Sequence, residues 1–118
     1  AREGKRGKPI VTAYTTAKHA INGMTKSVAR EVGTEGVTVN AICPGLIVTD
    51  ILQTNGPKTA EAMGMTLDEM IDYFTSESAI KRPNKVEEVA AVALLLASEA
   101  GAGITGTQLS VDGGTAQY

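Results

Sequence analysis

The sequence predicts an α/β chain in which helices cover a parallel sheet. Three observations carry that prediction. A helical period runs from about Ala13 to Val32 and stops at glycines. A short β-branched run, Val37 to Cys43, then ends at Pro44-Gly45. A strongly apolar helix from Lys85 to about Ser98 leads through a glycine-rich turn into a last strand near Gln108 to Asp112. Short β-branched strands separated by helices suit a parallel sheet buried on both faces.

Ala1 to Pro9 reads as a loop of charges and glycines closed by a proline. It carries the basic residues Arg2, Lys5, Arg6 and Lys8. Without a longer basic face or interleaved aromatics this is a solvated loop and no nucleic-acid surface. In the first helix, Ala17, Ile21, Met24 and Val28 fall on one apolar stripe. Tyr14 and Lys18 lie on its shoulder, at the amino-terminal end. Residues four apart on a helix stand one turn above each other, so a phenol and an ammonium can act on one substrate atom. A free phenol is a poor base at neutral pH. A neighbouring cation favours the phenolate. A phenol so placed can exchange a proton with an alcohol or a carbonyl. Gly33 and Gly36 end the helix.

Pro44-Gly45 stops the first strand. In an open α/β sheet, ligands bind beyond the carboxyl ends of the strands, which puts Pro44 to Thr49 beside a ligand. From Ile51 to Arg82 the pattern changes. Asn55-Gly56-Pro57 predicts a turn. Thr66-Leu67-Asp68-Glu69 predicts a capping box, opening a short helix with Met70, Ile71 and Phe74 on one face. Met63, Met65 and Met70 supply three of the chain's four methionines to this region. Such flexible apolar side chains suit a surface that adapts to a ligand; a plain surface hairpin of helices is the alternative.

Asn84-Lys85-Val86-Glu87 is a second cap signal, and Glu87 and Glu88 suit a helix amino terminus. Val86, Val89, Ala90, Ala93, Leu96 and Ala97 form one apolar face, widened by Val92, Leu94 and Leu95. A helix apolar on most sides is covered twice, here by the sheet and by another subunit. Gly101-Ala102-Gly103-Ile104-Thr105-Gly106 has the spacing Gly-x-Gly-x-x-Gly. A dinucleotide fingerprint follows a strand and opens a helix. This one follows a helix and enters a strand, so it is a turn.

The length of 118 residues suits one domain. Hydrophobic content is 42%, but aromatic residues make up only 3% and tryptophan is absent, so the core is built from Ala, Val, Ile, Leu and Met. The net charge of −2 gives no basic bias toward nucleic acid. Cys43 is the only cysteine, which excludes an internal disulfide and fits packing at a buried strand end. His19 has no companion at ligand spacing, so no metal site is expected. No segment has the ~18 apolar residues of a membrane span, no signal peptide is visible, and a reducing cytoplasm is the default compartment.

Tyr14-Thr15-Thr16-Ala17-Lys18, then Asn40-Ala41-Ile42-Cys43-Pro44-Gly45 with Thr49 four further on, then Asp112-Gly113-Gly114 near the end together resemble the short-chain dehydrogenase/reductase family. Order and spacing match from Tyr14 onward. Within the family the chain is most similar to 3-oxoacyl-carrier-protein reductase, polyketide ketoreductase and 3-hydroxybutyrate dehydrogenase. The resemblance implies a fold: the C-terminal half of a Rossmann-like, doubly wound parallel sheet domain. It also implies an activity, hydride transfer between NAD or NADP and a secondary alcohol or ketone. Tyr14 is then the general acid/base, and Lys18 assists it and hydrogen-bonds the nicotinamide ribose. Tyr14, Lys18, Pro44, Gly45, Ile47 and Thr49 would contact the cofactor. Leu46, Met63, Met65 and Phe74 would contact substrate, with residues 51–82 as a lid.

The family's glycine-rich loop and its active-site Asn and Ser are not in this sequence. Ala1 stands where that serine, or the residue after it, is expected, and Thr12 is too close to Tyr14 to replace it. The chain therefore reads as the C-terminal half of a larger protein, and the family implies a homotetramer of full-length chains. Two other readings stand beside this one. The first is a catalytically incomplete segment with a structural or assembly role. The second is an extended-type sugar epimerase or dehydratase, which shares Tyr-x-x-x-Lys but continues into a longer C-terminal domain.

Overall fold

The computed structural model describes Gly4 and residues 11–116. In chain order these form helix α1 (Thr12–Val32), strand β1 (Ala41–Pro44), helices α2 (Asp50–Ala62), α3 (Leu67–Thr75) and α4 (Val86–Ala97), and strand β2 (Gln108–Val111). The strands pair in parallel, with Ala41 opposite Gln108 and Pro44 opposite Val111. The expected α/β alternation is present. The predicted Ala1 to Pro9 loop and its basic residues lie outside the described residues, apart from Gly4.

Helix α1 ends as the glycines predict. A 3-10 turn over Gly33–Glu35 follows it, and Gly36 takes a left-handed φ of 75°, which glycine adopts without steric penalty. The face that α1 buries is not the expected one. Its buried residues are Asn22, Thr25 and Ala29, whereas Ile21 and Met24 are 46% and 59% exposed. The polar members of the inner face are satisfied where they sit. Asn22 Nδ2 donates to Gly4 O at 3.0 Å, and Thr25 Oγ1 donates to Ile21 O at 2.9 Å. Satisfied polar groups can be buried at little cost. Compact side chains there let other backbone segments approach, and the apolar stripe is left facing outward.

The strand expected over Val37 to Cys43 is confined to Ala41–Pro44. Upstream, one backbone bond, Gly106 N–H to Val39 O at 2.7 Å, is joined by side-chain ties in place of a continuous ladder. Val39 N–H donates to Thr105 Oγ1 at 3.0 Å. The Asn40 carboxamide donates to Ile104 O at 2.8 Å and accepts from Thr107 N–H and Oγ1 at 3.1 and 2.7 Å. Asn40 thus takes up backbone groups that a further ladder rung would have paired. The Gly101 to Gly106 segment is a turn between α4 and β2, as read, with Gly106 at φ 71°.

The turn predicted at Asn55-Gly56-Pro57 is absent, because all three residues lie inside α2. Tertiary packing overrides the local signal. Gly56 is buried, and a Cβ on it would come within 2.7 Å of Leu67 Cδ1, so this part of α2 packs directly against the start of α3. Pro57 removes one helical hydrogen bond, a cost the surrounding helix absorbs. The capping box on α3 is present: Glu69 N–H donates to Thr66 Oγ1 at 3.2 Å, and Thr66 N–H to Glu69 Oε1 at 3.4 Å. Met70 is fully buried, and Ile71 and Phe74 are half-buried beside it.

Asn84 is not the cap of α4. The helix starts after Lys85, whose N–H donates to Glu88 Oε1 at 2.7 Å. Helix α4 has no buried residue, and Leu94 is 72% exposed. The buried apolar residues are Ala29, Cys43, Ala60, Met70 and Ala116. Of the expected Ala, Val, Ile, Leu and Met core, Ala and Met are buried among the described residues, whereas no Val, Ile or Leu is.

Arg82, before α4, and Glu88, in its first turn, form a two-pronged ion pair at 2.8 and 2.9 Å. The hydrogen bonds from Arg82, and then from the Lys85 N–H, hold the Glu88 carboxyl down from its ordinary 4.5 to about 2. A carboxylate depressed in the fold stabilises it above the unfolded value and loses that contribution as pH falls through the folded one. The stability difference between wild type and Glu88→Gln should be full above pH ~4.5 and should close as the pH approaches ~2. Unfolding midpoints at stepped pH measure it. A gap independent of pH would show that the carboxylate charge is not what matters.

Candidate active site

Two contacts orient α1 on the sheet. At the entry to β2, Gly106 faces Ala29, a Cβ there lying 3.5 Å from the Ala29 Cβ. Two residues further on, Gln108 Nε2 reaches Asn22 O at 3.4 Å. Moving toward the carboxyl end of β2 therefore moves toward the amino end of α1. Tyr14 and Lys18 lie at the end of the molecule where Pro44 and Val111 finish the strands. That is the ligand-binding edge of a parallel sheet.

Lys18 places its ammonium 5.2 Å from the centre of the Tyr14 ring, within cation–π range. Tyr14 is 47% exposed, so its hydroxyl is open to a ligand, while the Lys18 stem is half-buried. Next to the pair, Thr15 Oγ1 is buried without a hydrogen-bond partner.

The loop after β1 is held from both sides. Gly45 N–H donates to Val111 O at 3.0 Å, and Leu46 O accepts from Asn84 N–H at 2.8 Å. Ile47 and Asn84 form an isolated parallel bridge. Thr49 caps α2, with a long 3.5 Å contact from Leu52 N–H to its Oγ1. Three donors at this edge have no acceptor among the described residues: the Ile47 N–H, the Thr49 hydroxyl and the Lys18 ammonium.

Met63 and Met65 sit at the junction of α2 and α3, the first exposed and the second half-buried, and Phe74 stacks edge-on to Tyr73 at 5.5 Å. Leu46 is half-buried in the β1 loop. No hydrogen bond, ion pair or ring contact among the described residues joins these four to Tyr14. Cys43 is buried, as expected of packing. His19 Nδ1 lies 2.9 Å from Thr15 O, and no group of three metal-ligating residues exists among the described residues. No helix among them is long and apolar enough to cross a membrane. A groove lined by Lys26, Arg30, Thr34 and Thr105 lies at the opposite, amino end of the strands and touches none of these residues.

Sequence reasoning missed Asn84, read as a cap, and the work of Asp112, read only as part of a motif. Both act through residues far away in sequence, which no local spacing signals.

A parallel sheet with helices around it, and a Tyr-Lys pair at its carboxyl edge, defines a Rossmann-like α/β half-domain. The family model described as enoyl-(acyl carrier protein) reductase matches residues 2–116. The chain is 44% identical over 116 residues to the D-beta-hydroxybutyrate dehydrogenase of Rhizobium meliloti (strain 1021), covering 97% of this chain and 45% of that protein. It superposes on a short chain dehydrogenase family protein from Francisella tularensis with a TM-score of 0.89, at 31% identity, over 98% of this chain and 48% of the other. It superposes on a variant actinorhodin polyketide ketoreductase, solved with NADPH, with a TM-score of 0.88, at 30% identity, over 100% and 45%. The chain belongs to the short-chain dehydrogenase/reductase family, and it spans about half the length of the relatives it matches.

Proposed function

We propose that these residues form the carboxyl-terminal half of an NAD- or NADP-dependent oxidoreductase that interconverts a secondary alcohol and a ketone. The observation that carries this reading is the Tyr14–Lys18 pair at the carboxyl edge of the sheet, together with the Ile47 N–H and the Thr49 hydroxyl, two donors without an acceptor among the described residues. The missing amino-terminal half would supply the phosphate-binding loop. A nicotinamide, when bound, supplies or accepts the hydride.

This chain's residues do the rest. The Tyr14 hydroxyl donates its proton to the carbonyl oxygen in reduction, and its phenolate accepts the alcohol proton in oxidation. Lys18 stabilises the phenolate and holds the ribose hydroxyls. Ile47 N–H and the Thr49 hydroxyl orient the carboxamide. Pro44 and Gly45 let the backbone approach the nicotinamide ring closely. Leu46, Met63, Met65 and Phe74 present apolar surface to the substrate, with α2 and α3 as the lid. A cytoplasmic setting fits the lone, buried Cys43, and the outward faces of α1 and α4 fit a homotetramer.

The complete enzyme should oxidise or reduce nicotinamide in the presence of a short secondary alcohol or ketone. Lys18→Met should weaken cofactor binding and slow turnover together, each by about 10–100-fold, because one charged donor serves both ribose and phenol. A change confined to the substrate KM would refute the double role. A complete enzyme that is inert with every nicotinamide and ketone tried would favour the structural-segment reading.

A further inference from the structure

The role of Asp112 in the family motif is unexplained by hydride transfer. The residue is 4% exposed. Its carboxylate spends its acceptors on the backbone that follows. Oδ1 accepts from Gly114 N–H at 3.0 Å and Thr115 N–H at 3.2 Å, and Oδ2 accepts from Ala116 N–H at 2.9 Å. The chain is thereby folded back on itself just past β2, with Gly113 and Gly114 at φ 63° and 84°.

Two parts of the candidate site rest on this turn. The first is the Gly45 loop. A Cβ on Gly45 would lie 2.8 Å from Asp112 Cα and 3.2 Å from Asn84 Oδ1, so Gly45 is pressed against both residues. The second is the exit of the lid. Gly113 O accepts from Ala79 N–H at 2.7 Å and Ile80 N–H at 3.2 Å. A Cβ on Gly113 would meet Ile80 Cγ1 at 2.6 Å, and one on Gly114 would meet Ala79 Cβ at 2.8 Å. Around the same two residues, Ser78 Oγ accepts from Lys81 N–H at 3.0 Å, and Lys81 takes a left-handed φ of 55°. Asn84 then returns to bond Leu46 O. Four of the buried polar residues, Thr75, Ser78, Asn84 and Asp112, gather at this base.

We infer that Asp112 is a positioning residue: its carboxylate folds the Gly113 to Ala116 turn, which holds the Gly45 loop and the lid exit in register with each other. It touches no reacting atom. It sets the floor on which the loop that faces the nicotinamide and the segment that covers the substrate meet. The functional part of this inference rests on the oxidoreductase reading above; the structural part does not.

The test is made on the complete enzyme with Asp112→Ala and Asp112→Asn, by amide hydrogen exchange and by steady-state kinetics. Asp112→Ala should speed exchange at Gly45, Ala79, Ile80 and Asn84 by about tenfold or more and leave the Lys18 to Ala29 amides of α1 unchanged. Asp112→Asn keeps one acceptor oxygen for Gly114 and Thr115 and should give an intermediate effect, which also serves if the alanine variant does not fold. In turnover, the KM values for cofactor and ketone should rise about tenfold while the shape of the pH–rate profile stays that of wild type. Exchange that rises equally throughout α1, or nowhere, overturns the positioning role. So does a loss confined to kcat with an altered pH profile. If wild type transfers no hydride, the functional reading falls, and the exchange pattern alone decides whether Asp112 holds the two segments.

Discussion

Tyr14→Phe is expected to lower kcat of the complete enzyme by about 10²–10⁴-fold, the range that a positioned general acid/base contributes. Cofactor affinity should stay nearly unchanged, because the ring and its contact with Lys18 remain. The substitution should also leave stability within about 0.5 kcal/mol. Tyr14 is half exposed, and its hydroxyl makes no hydrogen bond to a described residue. Removing that oxygen therefore orphans nothing inside the protein. Loss of turnover without loss of fold is what separates a chemical role from a structural one. A variant that retains most of its activity would remove Tyr14 from the proton-transfer step.

The 118 residues expressed alone should fail to unfold cooperatively and should bind no dinucleotide. The accessible surface is 7587 Å², against about 6,100 Å² for a compact protein of this mass. The radius of gyration, 16.1 Å, exceeds the roughly 13.5 Å of a compact chain of this length. The surplus surface is apolar where it counts: Ile21 and Met24 on α1, Ile51 on α2, and Val86, Leu94 and Leu95 on α4. A two-stranded parallel sheet is too small to stand alone in water without further packing. In the complete enzyme the same outward faces should drive association, giving a tetramer by sedimentation. A sharp thermal transition of the isolated chain with micromolar NAD or NADP affinity by calorimetry would contradict this account. So would a complete enzyme that stays monomeric.

Much of the architecture was legible. The 21 residues of α1 were readable to within one residue, and Gly33 and Gly36 marked its end, the second of them in a left-handed conformation. The Thr66 to Glu69 box was visible because both of its hydrogen bonds run between residues three apart. The rejection of Gly101 to Gly106 as a dinucleotide loop needed only the order of the neighbouring elements. The Asn55-Gly56-Pro57 turn went wrong for the converse reason. Those residues prefer a turn in isolation, yet they lie inside α2, where Gly56 packs against Leu67, eleven positions further on. The candidate site divides in the same way. The Tyr14–Lys18 pair is one helical turn, whereas the Gly45 loop is held by Val111 and Asn84.

By itself the sequence determined the order of α1, the two strands, α3 and α4, the parallel α/β class and the placing of a phenol beside an ammonium. Each of these follows from spacings of a few residues, where the backbone's own geometry sets what meets what. Only the tertiary structure decided which side of α1 is inner. Apolar periodicity points to Ile21 and Met24, yet the chain buries Asn22, Thr25 and Ala29, because Gly4, Gly106 and Gln108 approach that side and the polar groups there are satisfied. It also decided that Asn84 bridges the Leu46–Ile47 loop and that Asp112 builds the turn beneath both. Those pairings join residues tens of positions apart. Their energy exists only once the strands are in register, so no local pattern in the chain can announce them.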